Sequence, residues 1–234
     1  MPARNIVKEY LEGGIYHVYN RGTDKRVIFV DEEDYVMFMH IMKTYLTVTM
    51  RQQAKIDRGE VLSHKNYTHN IKLLSFCLMP NHFHLMIEQV GEHDISDFMR
   101  SLLTNYVMYF NKKYHRSGGL FQGRYKAVIV GTQIQMLHLT RYIHMNPLSL
   151  FTETGPMAMR SLRSYEYSSY QSYLGTKKLT WLQPENILTY FSSVKPGKHK
   201  RSEDYLNYQN YLEDYALDSV SVLRGLTIEK DDVV

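Results

Sequence analysis

The chain has 234 residues, of which 44% are hydrophobic, and its formal net charge is +4. This composition permits a packed core and excludes a chain that is disordered throughout. The sequence has no run of about 18 apolar residues, the length that a membrane-spanning helix needs, and no apolar secretory segment at its start. Cys77 is the only cysteine, so no disulfide can form within the chain, and we expect a cytoplasmic protein.

Positive charge is concentrated in the first part of the chain. Residues 1–150 contain 18 Lys and Arg against 13 Asp and Glu, whereas residues 151–234 contain 10 and 11. A segment of one sign attracts a polyanion such as nucleic acid. A basic face neutralised by acidic neighbours in the fold would give the same pattern. No acidic residue lies between Asp97 and Glu153, a stretch that contains Arg100, Lys112, Lys113, Arg116, Arg124, Lys126 and Arg141.

Hydrophobic periodicity predicts six elements in the order strand, helix, strand, strand, helix, strand. Apolar stretches rich in β-forming residues predict strands at residues 14–20, 71–79, 82–89 and 126–130. Helical spacing of apolar residues predicts helices at residues 31–50 and 95–114, with a loop at residues 51–70. This order predicts an α+β fold of the ferredoxin-like, split βαβ type, with an antiparallel sheet and helices on one face.

The remaining chain is predicted to be mostly helical. One helix should run from Thr132 to about Met145 and end at Asn146-Pro147. Two more are predicted at Glu185 to Phe191 and at Tyr205 to Leu217, with an exposed basic loop at residues 196–201 between them. We therefore expect a core domain at residues 1–150 and a helical C-terminal extension at residues 151–234, packed on the core or linked to it.

Two histidines flank a large apolar residue in the segment His82-Phe83-His84. Alternate side chains of a strand share a face, so both imidazoles should point to one side and Phe83 into the core. Two neighbouring imidazoles on a rigid strand can bind a divalent metal ion. The spacing by itself is a weak indication, because two histidines on a half-exposed strand would look the same.

A tyrosine and an asparagine at the end of a predicted helix extend this candidate site. Tyr142 and Asn146 are four residues apart and therefore share a helix face. Asn146 is the candidate for a third metal ligand through its amide oxygen. A tyrosine hydroxyl near a cation loses its proton more easily and becomes a better nucleophile. The chain has 20 tyrosines, so a buried aromatic role for Tyr142 is the alternative.

Several segments together resemble the single-tyrosine HUH transposases, in which two histidines flank a bulky apolar residue. The segment Met79 to Ile87 resembles the HUH motif itself, most closely that of the REP-associated tyrosine transposases. The similarity spans roughly residues 13–175 and thins beyond residue 176. Other segments are similar to family features in the expected order: residues 16–22, 109–115, 119–126, 141–147 and 167–175.

The resemblance implies a chemistry for the matching positions. His82, His84 and Asn146 would bind Mg²⁺ or Mn²⁺, although some family members have glutamine at the position of Asn146. Tyr142 would cleave and rejoin single-stranded DNA with hairpin or repeat ends through a 5′-phosphotyrosine intermediate. Some relatives exchange the tyrosine helix between two subunits and others act alone, so a homodimer and a monomer are both compatible with the sequence.

The resemblance and the spacing to Asn146 also favour Tyr142 over other tyrosines of the basic stretch as the nucleophile. The alternatives are Tyr106, Tyr109 and Tyr125. His138 and His144 lie close to Tyr142 in sequence, and we expect neither to bind the metal.

The candidate DNA contacts are basic residues and one tyrosine. Arg124 and Lys126, beside Tyr125, could hold the backbone of a single strand and stack on its bases. The remaining candidates are Arg21, Lys112, Lys113 and Arg116, which could hold the duplex stem of a hairpin, together with Arg141. An ordinary surface cation is the alternative for each.

Three other functions are compatible with parts of this pattern. One is a catalytically silent regulator that binds DNA or RNA hairpins, and another is a structural ferredoxin-like module with incidental histidines. Neither would need His82, His84, Tyr142 and Asn146 together, and the presence of all four argues against both. The third is a replication initiator or relaxase of the wider HUH group, which the short chain without a helicase domain disfavours.

Overall fold

The computed structural model describes residues 10–59, 65–191, 201–214 and 223. Within these ranges the strands are β1 (Ile15–Arg21), β2 (Ile71–Met79), β3 (His82–Gln89) and β4 (Lys126–Ile129). The helices are α1 (Glu32–Leu46), α2 (Met50–Asp57), α3 (Asp94–Lys113), α4 (Gln133–Met145), α5 (Gly155–Ser164), α6 (Tyr170–Tyr173), α7 (Glu185–Leu188) and α8 (Arg201–Glu213). Short 3₁₀ segments occur at Thr23–Lys25, Asn146–Leu150 and Thr189–Phe191.

The four strands form one sheet in the order β2-β3-β1-β4, and every neighbouring pair is antiparallel. This order confirms the predicted ferredoxin-like α+β fold. Helices α1 and α3 pack on one face, where the ring of Phe38 lies 5.3 Å from that of Phe83 and 5.0 Å from that of Tyr106. Helix α4 packs against β2 and β3, and its Tyr142 lies over the face opposite to Phe83.

Local hydrogen bonds explain where the helices begin. Asp31 accepts from the backbone N–H of Asp34, and the Asp34 side chain accepts from the Asp31 backbone N–H, so a capping box starts α1. The Thr132 side chain accepts from the Gln135 backbone and starts α4, which confirms the predicted helix start.

Helix α2 lies in the segment that was predicted to be a loop. Thr49 and Gln52 form a reciprocal pair: the Thr49 hydroxyl accepts from the Gln52 N–H at 3.2 Å, and the Gln52 side chain accepts from the Thr49 N–H at 2.8 Å. This threonine and glutamine, three residues apart, are a capping signature in the sequence. The polar composition of residues 51–70 concealed it because α2 has no continuous apolar stripe.

The C-terminal extension runs along the outer edge of β2. Backbone hydrogen bonds join the two: Leu78 N–H donates to the Tyr167 carbonyl at 2.9 Å, and Ser169 N–H donates to the Phe76 carbonyl at 2.9 Å. Further along, Gln183 N–H donates to the Leu73 carbonyl at 2.9 Å. The extension therefore satisfies polar groups of β2 that an edge strand would otherwise expose.

The helices predicted in the extension are present where the structure describes them. Glu185 to Phe191 forms α7 and the 3₁₀ segment that follows it. The predicted helix Tyr205 to Leu217 corresponds to α8 as far as Glu213. Its last residues, 215–217, and most of the predicted basic loop, residues 196–200, lie outside the described residues. No helix in the described ranges is long and apolar enough to span a bilayer.

Candidate active site

The sheet register assembles one row of polar side chains from three strands. Directly opposed residues of an antiparallel pair lie on the same face. Tyr19 of β1 is opposite His84 of β3 on one side and Lys126 of β4 on the other, and Arg21 is opposite His82. His17 lies two residues before Tyr19 and shares its face. The face that α4 covers therefore carries His17, Tyr19, Arg21, His82, His84 and Lys126.

His82 and His84 are neighbours on this face, as the alternation predicted. Their ring centroids are 4.9 Å apart and their planes are nearly perpendicular, at 88°. His84 is fully buried, whereas His82 retains 9% exposure. Phe83 between them is fully buried and packs against α1 on the other face. One imidazole therefore lies deep beneath α4 and the other lies near solvent.

The hydrogen bonds of the two histidines differ from one ring nitrogen to the other. His84 Nδ1 lies 2.9 Å from Nε2 of His17, which is also fully buried. His84 Nε2 is buried and has no hydrogen-bond partner among the residues that the structure describes. His82 Nδ1 lies 2.6 Å from Oδ1 of Asn81. In both histidines Nδ1 is held by a neighbour, so a ligand would be bound through Nε2.

Electrostatics keep His84 neutral. Burial, the adjacent His82 and His17 and the positive charge of Arg21 hold the pKa of His84 well below its usual value, while the nearby amide of Asn146 acts in the opposite direction. A neutral imidazole has a lone pair that can bind a cation. The buried, unbonded Nε2 of His84 therefore has the chemical form of a metal ligand.

Helix α4 brings Tyr142 and Asn146 to this row. The Tyr142 ring is half-buried and lies 5.4 Å from the His84 ring and 6.2 Å from the His17 ring, centroid to centroid. Asn146 is the C-cap of α4, and its Nδ2 donates to the Tyr142 carbonyl at 2.9 Å. The (i, i+4) pair shares a helix face as predicted, and one chain supplies both residues and both histidines.

The three alternative tyrosines have partners elsewhere. The Tyr106 hydroxyl is buried and donates to the Ile28 carbonyl. The Tyr109 hydroxyl donates to Asp34 Oδ1 at 3.1 Å, and the Tyr125 hydroxyl lies 2.7 Å from that of Tyr10. Tyr142 is therefore the tyrosine of the basic stretch whose ring lies against His84.

The two histidines near Tyr142 in sequence pack away from this row. His144 is fully buried, with Nδ1 2.7 Å from the Tyr208 hydroxyl and Nε2 2.6 Å from the Ser169 hydroxyl. Burial lowers the pKa of His144 to about 3. The His138 ring lies 6.1 Å from the Tyr211 ring of α8. Both histidines thus face the C-terminal extension.

The donor set can hold a divalent cation. It consists of two imidazoles and one amide, and no cluster of three His, Cys, Asp or Glu side chains suited to a metal exists within the described ranges. A cation would fill the coordination gap at the buried Nε2 of His84. Nitrogen ligands suit Mn²⁺ better than Mg²⁺, which prefers oxygen.

Two DNA-contact candidates lie beside the histidine row. Lys126 Nζ lies over the Tyr19 ring at 5.9 Å from its centroid, and Arg21 is paired with His82 across the β1–β3 ladder. Arg124 and Tyr125 instead line a separate cleft of about 580 Å³. Tyr10, which bonds Tyr125 in that cleft, packs on Tyr16 and so belongs to the sheet face opposite His17.

Two other candidates from the basic stretch, Lys113 and Arg116, have contacts within the protein. Lys113 lies within 3.1 Å of the carboxylates of three acidic residues of the α1 start: Asp31, Glu33 and Asp34. The Arg116 guanidinium lies 5.6 Å from the Phe110 ring, and Lys112 is exposed. The charge of Lys113 is thus neutralised by acidic neighbours in the fold, the alternative to DNA binding that the sequence left open.

Arg141, a candidate DNA contact from the sequence, is instead buried inside the protein. It is only 4% exposed, and its guanidinium donates to the carbonyls of Leu212, at 2.9 Å, and Asp214. These carbonyls belong to the C-terminal end of α8, where free carbonyls attract a cation. Arg141 therefore joins α4 to α8 inside the protein.

His17 is the residue of the site that the sequence interpretation missed. Alternation in β1 indicates that His17, Tyr19 and Arg21 share a face, and the ferredoxin-like order makes β1 the neighbour of β3. These two facts restrict His17 to one of two faces. Only the register, which aligns Tyr19 with His84, selects the face of the histidine row.

Comparison with known proteins gives a family. No curated protein matches the chain. Among solved structures, it is similar to a REP-associated tyrosine transposase bound to a REP hairpin, with 14% identity, a TM-score of 0.49, and coverage of 76% of this chain and 95% of that one. It is also similar to a putative transposase from Deinococcus radiodurans, with 17% identity, a TM-score of 0.35, and coverage of 61% and 95%.

Residues 33–146 match the model of the family described as IS200-like transposases. The matched segment begins in α1 and ends at Asn146, so it contains β2, β3 and α4 and the four residues of the predicted site. Residues 33–146, just under half of the chain, therefore form a segment of the IS200-like transposase family.

Proposed function

We propose that this transposase cleaves and rejoins single-stranded DNA with a divalent metal ion, using Tyr142 as the nucleophile. The observation that carries the proposal is the contact between the Tyr142 ring and His84, whose buried Nε2 has no hydrogen-bond partner in the described part of the chain. A buried polar atom without a partner is rare in proteins and calls for a functional explanation. A metal ligand beside a nucleophile explains it.

The three donors would hold the ion together. His84 and His82 would bind through Nε2, and Asn146 through its amide oxygen, since its Nδ2 is already bonded to the Tyr142 carbonyl. A divalent cation bound here supplies positive charge that stabilises the charge developing on the scissile phosphate. Mn²⁺ and Mg²⁺ are the candidate ions, and the nitrogen-rich donor set favours Mn²⁺ binding in vitro.

The chain's own chemistry is a transesterification. The Tyr142 hydroxyl loses its proton to solvent, and its oxygen forms a bond to phosphorus. The bond from phosphorus to the deoxyribose 3′-oxygen breaks, and that oxygen takes up a proton. The product is a 5′-phosphotyrosine, and attack by another 3′-hydroxyl restores a phosphodiester and regenerates Tyr142. No nucleotide cofactor is consumed, because one ester is exchanged for another.

The DNA partner is proposed to be single-stranded, with hairpin or repeat ends. The sequence resemblance to REP-associated tyrosine transposases supports this substrate class. Lys126 supports it from the geometry, because a half-buried cation on the same face as His84 suits a phosphate.

A covalent-adduct assay tests the proposal. Purified protein is incubated with Mn²⁺ or Mg²⁺ and with hairpin-forming single-stranded oligonucleotides from the DNA that flanks its gene, and products are separated on a denaturing gel. We expect a protein–DNA adduct that disappears with EDTA and in the Tyr142→Phe and His82→Ala variants. Tyr109→Phe is the matched control and should retain the adduct. Tight hairpin binding without any adduct, unaffected by EDTA and by Tyr142→Phe, would instead favour the catalytically silent regulator.

A further inference from the structure

We propose that His17 is a positioning residue that fixes the tautomer and ring orientation of His84, so that His84 presents a bare Nε2 to the metal ion. This inference rests on the proposed function, since it concerns the same metal site. It adds a residue of β1 that lies before the segment matched by the family model, which begins at residue 33.

The hydrogen bond between the two histidines contains one proton that can belong to either ring. If His84 holds it on Nδ1, His17 Nε2 accepts, and His84 Nε2 keeps its lone pair. If His17 holds it on Nε2, neutral His84 must carry its own proton on Nε2, and that nitrogen cannot bind a metal. Metal binding therefore requires the first arrangement, with His17 as the acceptor.

His17 is suited to this role because of its burial and its orientation. Both rings are fully buried, their Nε2–Nδ1 distance is 2.9 Å, and they are stacked at 20° with centroids 5.1 Å apart. A metal-bound histidine needs an acceptor for its other ring N–H, most often a carboxylate, a carbonyl or water. Here that acceptor is a ring nitrogen of a second histidine, which orients His84 without adding a negative charge next to the cation.

The position of His17 in the sheet gives the interaction rigidity. It lies in β1, which is paired with β3 on one side and β4 on the other. Ligand geometry is held best by groups on rigid elements whose own orientation is fixed by packing. The His84 ring also lies 6.1 Å from the Tyr19 ring and 5.4 Å from the Tyr142 ring, centroid to centroid. Rotation of His84 would break its bond to His17 within this packed row.

The first test reads the tautomer in metal-free protein. Full-length ¹⁵N-labelled protein is examined by two-bond ¹⁵N–¹H correlations of the histidine rings. We expect His84 to carry its proton on Nδ1 in the unaltered protein and in His17→Gln, whose Oε1 can accept the same bond. We expect that preference to be lost in His17→Leu. Protonation of His84 on Nε2 in the unaltered protein, or the same spectrum in His17→Leu, would overturn the inference without any assay of activity.

The second test measures Mn²⁺ affinity by calorimetric titration. His17→Leu should weaken binding by about tenfold to a hundredfold, the range found when the partner of a ligating histidine is lost, while His17→Gln should stay close to the unaltered protein. Gln89→Leu is the control, because Gln89 is also fully buried on β3 but bonds Leu11 and Ile95, and its affinity should not change.

The outcomes separate the two proposals. Normal Mn²⁺ binding by His17→Leu, together with loss of binding in His84→Ala, would overturn the role of His17 and leave the metal site intact. Absence of Mn²⁺ binding by the unaltered protein would overturn both.

Discussion

Two fully buried histidines lie on opposite sides of α4, and only one of them has a complete set of hydrogen bonds. His144, on α4 itself, uses both ring nitrogens to bond Tyr208 and Ser169. His84, on β3 beneath Tyr142, uses Nδ1 for His17 and leaves Nε2 without a partner in the described part of the protein. Burial lowers the pKa of both. Burial and pKa therefore do not distinguish them.

The difference between the two histidines assigns their roles. A buried imidazole with both nitrogens bonded stabilises the fold, because every polar atom is satisfied. A buried imidazole with one nitrogen left over costs stability unless something else occupies that nitrogen. In this transposase the first arrangement joins α4 to the C-terminal extension, and the second faces the nucleophile. Substituting each histidine should therefore impair a different property.

The largest effect is expected for His84→Ala on DNA cleavage. Loss of a metal ligand beside the nucleophile should lower the rate of adduct formation by about a thousandfold or more. The measurement is a single-turnover assay with a hairpin oligonucleotide and Mn²⁺, with His40→Ala as a control at a surface position of α1. A rate within about threefold of the unaltered protein would contradict the role of His84 as a ligand.

The second largest effect is expected for His144→Ala on stability. The substitution leaves two buried hydroxyls, those of Tyr208 and Ser169, without the imidazole that they bond. We expect the free energy of unfolding to fall by about 3 kcal/mol, measured by urea denaturation, and we expect His84→Ala to cost less. A larger loss of stability for His84→Ala would show that the number of hydrogen bonds made by each buried histidine does not determine its contribution to stability.

Arg141 and Lys126 extend the comparison from histidines to cations. Arg141→Met removes buried bonds to the end of α8 and should lower the free energy of unfolding by about 2 kcal/mol, with little change in DNA affinity. Lys126→Met should change stability by less than about 0.5 kcal/mol and reduce the slope of log affinity against log salt by about 1. Binding titrations at several salt concentrations measure this slope. Equal slopes for the two variants would contradict the assignment of Lys126 as a DNA contact and of Arg141 as a structural residue.

The last prediction concerns the pH dependence of unfolding, which acts only in acid. The folded pKa of His144 is about 3, against an ordinary value of 6.5, so below pH 6.5 the unfolded chain binds a proton that the folded chain does not. The stability that neutral His144 contributes to the folded state is fully present above pH 6.5. It is lost progressively as the pH falls toward 3, by up to about 1.4 kcal/mol per pH unit.

This pH dependence is measured by urea denaturation of the unaltered protein and of His144→Gln at several pH values. The glutamine variant lacks the titrating group, so its stability should fall less steeply between pH 6.5 and pH 3. An unchanged slope would show that other groups, such as His84, account for the loss.

Much of the fold was predictable because its elements carry strong local patterns. β2 and β3 have the predicted bounds, since an apolar run and a clean alternation are separated by Pro80-Asn81, which cannot continue a central strand. α2 was missed because its capping pair was hidden in a polar segment. α5 and α6 were missed as individual helices: α6 is only four residues long, whereas Ala158, Met159 and Leu162 do give α5 a helical apolar spacing that the sequence interpretation overlooked.

The candidate site was likewise predictable only where a single strand or helix determines the arrangement. Single-element patterns predicted that His82 and His84 share a face and that Tyr142 and Asn146 share another, and the contacts agree. Arg141 and His17 could not be placed from local patterns. The carbonyls that hold Arg141 lie in α8, and the ring that bonds His17 lies in β3, both distant in sequence.

The sequence by itself determined the order of the elements and the ferredoxin-like sheet, because those features depend on periodicity and spacing along the chain. Its resemblance to the single-tyrosine HUH transposases selected His82, His84, Tyr142 and Asn146 as the candidate site. Only the tertiary structure decided which nitrogen of His84 is bonded, which histidine is satisfied by the extension and which cations remain at the surface. These depend on the register between β1 and β3 and on the packing of α8, where partners distant in sequence share hydrogen bonds that no local pattern specifies.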